Sequence, residues 1–181
     1  MLRLTVTIVP EQWDSKNERF IPPKVKTLQL EHSLVSLHKW ESKWHKPFFS
    51  KVEKTTEETI DYIKCMTLTQ NVDDDVYNHL SQQNVDEVVA YIENPMTATT
   101  ISDNGSKKKS NEIITAEVIY CAMFQHKIPF ECRKWHLNQL MTLIRVCDIK
   151  TSPPKKMSRA ETMRHNAELN ARNRERFKSK G

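Results

Sequence analysis

Four residues hold the spacing most suggestive of chemistry: Cys121, His126, Cys132 and His136. Zinc takes four such ligands tetrahedrally, and Cys132 and His136, four apart, would share a helix face. Cys121 and His126 are five apart, however, and the set matches no zinc-finger spacing. A buried Cys that behaves as a small apolar residue accounts for the same positions. Cys132 and His136 could also be read as a nucleophile and its base. That chemistry needs an activated thiolate and a third, orienting group, for which the sequence offers no signature. We therefore expect no metal, no cofactor and no enzymatic activity. His32, His38, His45, His79 and His165 sit among polar neighbours and read as surface positions. Asp73–Asp75 lacks the glycine of a calcium loop and suits the start of a helix.

Two other groups could bind rather than react. Trp40, Trp44, Phe48 and Phe49 are interleaved with Lys39, Lys43 and Lys46, a mixture that can hold single-stranded nucleic acid. Aromatics four apart on a helix also suit core packing. The second group is the C-terminal series Lys155, Lys156, Arg159, Arg164, Arg172, Arg174, Arg176, Lys178 and Lys180, which could meet phosphates with salt-dependent affinity. Glu161, Glu168 and Glu175 dilute its field, so a solvated helix or a protein partner competes with nucleic acid.

Composition narrows the field. The 181 residues include two glycines, Gly105 and Gly181. That removes phosphate-cradling loops, dinucleotide fingerprints and the G-x-S-x-G nucleophile elbow, and makes a β-meander improbable. The net charge of +5 is unevenly placed. Residues 153–181 carry nine basic and three acidic side chains, leaving 19 basic and 20 acidic in the rest. The body is nearly neutral and the tail is basic. The four cysteines form no C-x-x-C pair, Met1–Pro10 has no apolar leader core, and no run reaches membrane-span length. Free thiols in a reducing cytoplasm, and no membrane partner, are expected.

The elements that must position these residues follow from periodicity. Leu2, Leu4, Val6 and Ile8 alternate as a strand, and Lys24–Glu31 could pair with it antiparallel across a polar loop. Two strands alone are marginal, so the ribbon must lean on helices. Ser33 opens a helix to about His45 with Leu34, Leu37, Trp40 and Trp44 on one face. A capping box, Thr55 to Glu58, opens a second ending near Leu68. A short helix runs from Asp73–Asp75 to Leu80, and Asn84 is expected to cap another ending at Pro95. Residues 102–111 read as a flexible loop. Ile113–His126 and Glu131–Asp148 are apolar enough to form an αα-hairpin at the core. After Pro153-Pro154, Ser158 and Glu161 form a capping box for a last helix, about Arg159–Phe177, whose thin apolar face of Met163, Ala167 and Ala171 cannot fold alone. The expected fold is mainly α: a multi-helix body with an N-terminal β-ribbon over 1–150, then a linker and an extended basic C-terminal helix over 151–181.

Several long strings carry a resemblance. They are Leu30-Glu-His-Ser-Leu-Val-Ser-Leu-His-Lys-Trp-Glu-Ser-Lys-Trp44, Glu57-Glu-Thr-Ile-Asp-Tyr-Ile-Lys-Cys-Met66, Ile114-Thr-Ala-Glu-Val-Ile-Tyr120, Ile128-Pro-Phe-Glu-Cys132, Trp135-His-Leu-Asn138, Leu143-Ile-Arg-Val-Cys147 and Pro154-Lys-Lys-Met-Ser-Arg159. In this order, over about residues 20–175, they resemble a family of small tailed-bacteriophage proteins similar in context to tail assembly chaperones. One departure stands after Met96-Thr-Ala-Thr99: Thr100-Ile101 occupies the place of an expected aromatic. The resemblance brings no catalytic residues. It implies a non-catalytic morphogenesis factor in the host cytoplasm that holds the tape-measure protein. The groove would be Leu34, Leu37, Trp40, Trp44, Phe48 and Phe49, with the tail recruiting a partner or making homo-oligomers. The alternatives are a structural virion component, or a nucleic-acid-binding protein working through the tail.

Overall fold

A computed structural model describes residues 1–101, 113–152 and 159–178. The protein is mainly α, with two compact units, Met1–Asp148 and Ile149–Gly181. In the first, β1 (Leu2–Val9) pairs antiparallel with β4 (Lys24–Leu30), Leu4 opposite Leu28 and Leu2 opposite Leu30. Alternation puts Leu4, Val6, Leu28 and Leu30 wholly inside and leaves Arg3, Thr5, Thr27 and Gln29 exposed. The segment expected to be a plain loop instead forms a small second hairpin, β2 (Gln12–Asp14) with β3 (Arg19–Ile21). Asp14 accepts from the backbone of Lys16 and Asn17, closing the turn, and Trp13 meets Phe20 edge-on at 4.8 Å across it.

The buried face of the ribbon shares one core with the helices that follow. Helix α1 (Leu34–Trp44) starts at Ser33, whose hydroxyl accepts from Ser36 N, and stops where His45 turns left-handed at φ 52. Helix α2 (Thr56–Met66) uses the expected Thr55–Glu58 box. Its end returns the chain to the ribbon, where Glu31 N donates to Met66 O and Leu68 N to Gln29 O. A single turn, α3 (Asp75–Asn78), ends short of the expected Leu80. Helix α4 (Gln82–Glu93) begins one turn earlier than expected. Ser81 is its cap, and Asn84 is the third residue of that box rather than the cap itself. Helix α5 (Ala116–Gln125) packs on α1.

The largest departure lies at 130–136. Instead of continuing a long helix from Glu131, the chain makes a 3-10 helix (Phe130–Lys134) and then an isolated bridge pairing His136 with Ser33. Leu137 N donates to His32 O at 2.7 Å. These backbone bonds to the ribbon's end delay α6 until Leu137, and it runs to Thr151. His126 and Asp148, 2.7 Å apart, tie the end of α5 to α6. The core does not centre on α5 and α6, however. It is shared by the ribbon with Leu34, Leu37 and Trp40 of α1, Ile63 and Met66 of α2, and Leu137 and Leu140 of α6. Helix α5 is not buried all round either, since Cys121 and Phe124 are exposed.

The second unit contains α7 (Arg159–Phe177), none of whose residues is buried. The expected cap Ser158 and the loop at 102–111 lie outside the described residues. Among the described residues no helix is long and apolar enough to cross a membrane.

Candidate partner-binding surface

The groove expected on α1 is closed by the protein's own core. Leu34, Leu37, Trp40 and Phe48 are buried, and Trp44 is half-buried. Trp40 Nε1 donates to Glu58 O at 2.9 Å, and Phe48 lies 4.2 Å from the Tyr62 ring. Trp44 Nε1 donates to Asp61 Oδ2, which binds α1 to α2. Two of the interleaved lysines, Lys43 and Lys46, are engaged as well, and so is Lys54 beyond them. Lys43 bonds Asp61, Lys46 bonds Glu58 at 2.6 Å, and Lys54 stands over the Phe48 ring. The Lys46 ammonium, then the Thr55 N–H, hold the Glu58 carboxyl below its ordinary range. Of the six residues, Phe49 alone is largely exposed, at 46%. A single helix stripe serves one side, and here the ribbon and α2 use it.

The cysteines and histidines are separately occupied. Cys121 is exposed on α5, and Cys132 is buried in the 3-10 helix. His126 bonds Asp148. His136 Nε2 donates to Tyr91 O at 3.1 Å, while Nδ1 accepts from Asn138 N. Both ring nitrogens are thus spoken for, neither by Cys132, and the imidazole is neutral. Among the described residues no three His, Cys, Asp or Glu could hold a metal ion. His32, expected at the surface, is 1% exposed and sits 5.1 Å from the His136 ring. Its Nδ1 lies 2.6 Å from Tyr62 Oη. Burial, then the neighbouring His136, lowers its pKa to about 3. Glu41 is a second buried polar residue that the sequence did not flag. It accepts from Phe48 N and Ala116 N at 2.8 and 2.7 Å, and so pins the start of α5 to α1.

One exposed aromatic surface lies where α5 turns into the 3-10 helix. Lys127 takes the left-handed conformation at φ 53, Ile128 N bonds back to Met123 O, and Pro129 starts the 3-10 turn. This geometry holds Phe124 and Phe130 with their rings nearly parallel (15°) and 6.3 Å apart, although they are 67% and 44% exposed. Tyr120 lies 6.0 Å from Phe130. The Arg133 guanidinium stands 4.0 Å over the Phe130 ring. Among the described residues Arg133, Lys127 and Lys134 enter no ion pair. Sequence reasoning passed over Phe124 and Phe130 because an α5 that is apolar nearly all round shows no face to choose.

A cleft of about 620 Å³ beside α6 is lined by Met141, Ile144, Thr97 and Thr99, among others. It contains neither histidine nor cysteine, and so no nucleophile–base pair of that kind. The bases of α7 do not converge. At about 100° per residue, Arg159 and Arg174 lie within about 60° of each other, Arg164 is about 80° beyond them, and Arg172 and Arg176 fall on the far side. All five are exposed, as are Glu161, Glu168 and Glu175 between them. Lys155 and Lys156 lie outside the described residues. No family model, curated protein or solved structure matches the chain.

Proposed function

We propose that this chain is a non-catalytic assembly factor of bacteriophage morphogenesis, a tail assembly chaperone that holds a tape-measure protein in the host cytoplasm. The observation that carries the reading is the Phe124–Phe130–Arg133 surface, a rigid, exposed aromatic patch with a cation stacked on it. Aromatic and Arg side chains are the residue types enriched at protein–protein contacts. A contiguous exposed apolar patch marks such a contact. The motif strings at residues 20–175 supply the phage context.

A tape-measure protein is long and helical, and it exposes apolar stripes until the tail tube surrounds it. An aromatic anchor surface covers such a stripe without chemistry. Co-expression tests the reading. The tape-measure protein should stay soluble and co-purify with the chain, and mass spectrometry of mature particles should find the chain absent. A client that aggregates regardless, with no co-purification, overturns the proposal. Many copies in the particle would replace it with a structural role.

A further inference from the structure

We infer that the Phe124–Phe130–Arg133 surface takes an acidic amphipathic segment, one in which an apolar anchor stands beside carboxylates. The inference rests on the binding role proposed above and names the chemistry of its partner. Two rings held nearly parallel at a turn present a ready apolar seat, because the backbone on both sides is fixed. Ile128 N bonds Met123 O at 2.9 Å, and Cys132 N bonds Pro129 O at 3.0 Å. The backbone that carries the rings is therefore set before a partner arrives, which lowers the entropic cost of association.

Charge selects among partners. Arg133 stands over the Phe130 ring, and the same turn carries Lys127 and Lys134 against Glu131. Arg133 is the decisive group. Its guanidinium stands over Phe130, and its planar fork of donors can grip a carboxylate beside the rings. A basic partner would meet three unpaired cations here, and a second copy would bring the same cations to face them. An extended phosphate backbone would gain little from the two rings unless bases were unstacked onto them. An apolar stripe edged with Glu or Asp satisfies both the seat and the cations.

The test uses the full chain and two labelled helical peptides. One carries a leucine and phenylalanine stripe flanked by glutamates. Its twin has lysines in place of those glutamates. Fluorescence anisotropy should show the acidic peptide binding at least about tenfold more tightly than the twin, with affinity falling as salt is raised. Phe124→Ser and Arg133→Gln should each weaken acidic-peptide binding about five- to thirtyfold. Val89→Ser, at another exposed apolar position on α4, should leave it unchanged. Because Phe124 is mostly exposed, the thermal midpoints of these variants should match the parent, which separates lost binding from lost fold. Equal binding of the two peptides overturns the inference, as does parent-like binding by both variants. So does a parent dimer that Phe124→Ser converts to monomer, or displacement of the peptide by a single-stranded oligonucleotide. The tape-measure co-purification separates the two levels. If the variants still hold that client, this surface is wrong but the chaperone reading stands. If the parent binds the acidic peptide yet does not hold the client, the surface stands and the chaperone reading fails.

Discussion

Protonating His32 or His136 in the folded body would put a cation beside a second imidazole and against buried aromatic rings. Burial lowers the pKa of both, His32 to about 3. In the unfolded chain each returns to about 6.5. Below that pH the unfolded state binds protons that the folded state refuses. The stability contributed by the neutral pair is complete above about pH 6.5 and is lost progressively as pH falls toward 3, by up to about 1.4 kcal/mol per pH unit for His32 alone. Urea unfolding at pH 7.5 and 5.5 should show this loss, and His32→Phe should flatten the slope although it also removes the Tyr62 contact. Equal stability at the two pH values sinks the account. This residue was invisible in the sequence because Glu31 and Ser33 flank it there. The rings beside it are Phe48, Tyr62 of α2 and His136 of the bridge before α6, all distant in the chain.

Helix starts were legible wherever a side chain three residues on could answer the cap. Thr55 and Glu58 showed this directly. Ser81 and Asn84 use the same device with a shorter acceptor, and the rule that looks for Glu or Gln misplaced the start. Helix α5 lies beyond any local rule, because its first N–H bonds Glu41, 75 residues earlier. Glu41→Gln tests that link. A carboxylate serves both Phe48 N and Ala116 N, whereas an amide turns its NH2 toward one of them. We expect a loss of about 1–3 kcal/mol, read by denaturant unfolding, together with earlier hydrogen exchange at the start of α5. A variant as stable as the parent would show that α5 does not depend on this carboxylate. The α1 stripe was also plain in the sequence, but its use was not. Leu34, Leu37 and Trp40 have the same spacing whether they face a client or the ribbon, and only the presence of β1, β4 and α2 decides.

Among the described residues, the buried apolar ones all fall between Leu4 and Ile144, inside the unit Met1–Asp148. Helix α7 contributes none of them. A chain ended after Ser152 should therefore keep a cooperative transition, with stability within about 0.5 kcal/mol of the full chain. A broad or lost transition would show that the body needs its C-terminal segment. The same truncation reads out the tail's role. If α7 contributed the charge contacts of nucleic-acid binding, the full chain would show a salt-dependent affinity that the shortened one lacks. The division of charge between body and tail was countable from the residues. The spread of arginines round α7 needed the helix, because faces exist only once the pitch is set.

The bridge between Ser33 and His136 also sets a clock for synthesis. A ribosome adds about 5–20 residues per second, so His136 follows Ser33 by roughly 5–20 seconds. During that interval the segment that caps the shared end of the ribbon and α1 is not yet made, and Leu34 and Leu37 lack their final cover. A newly made chain thus passes through a sticky half-built state. Slow translation between α2 and α6 should lower its soluble yield, even though the finished protein hides every one of those side chains.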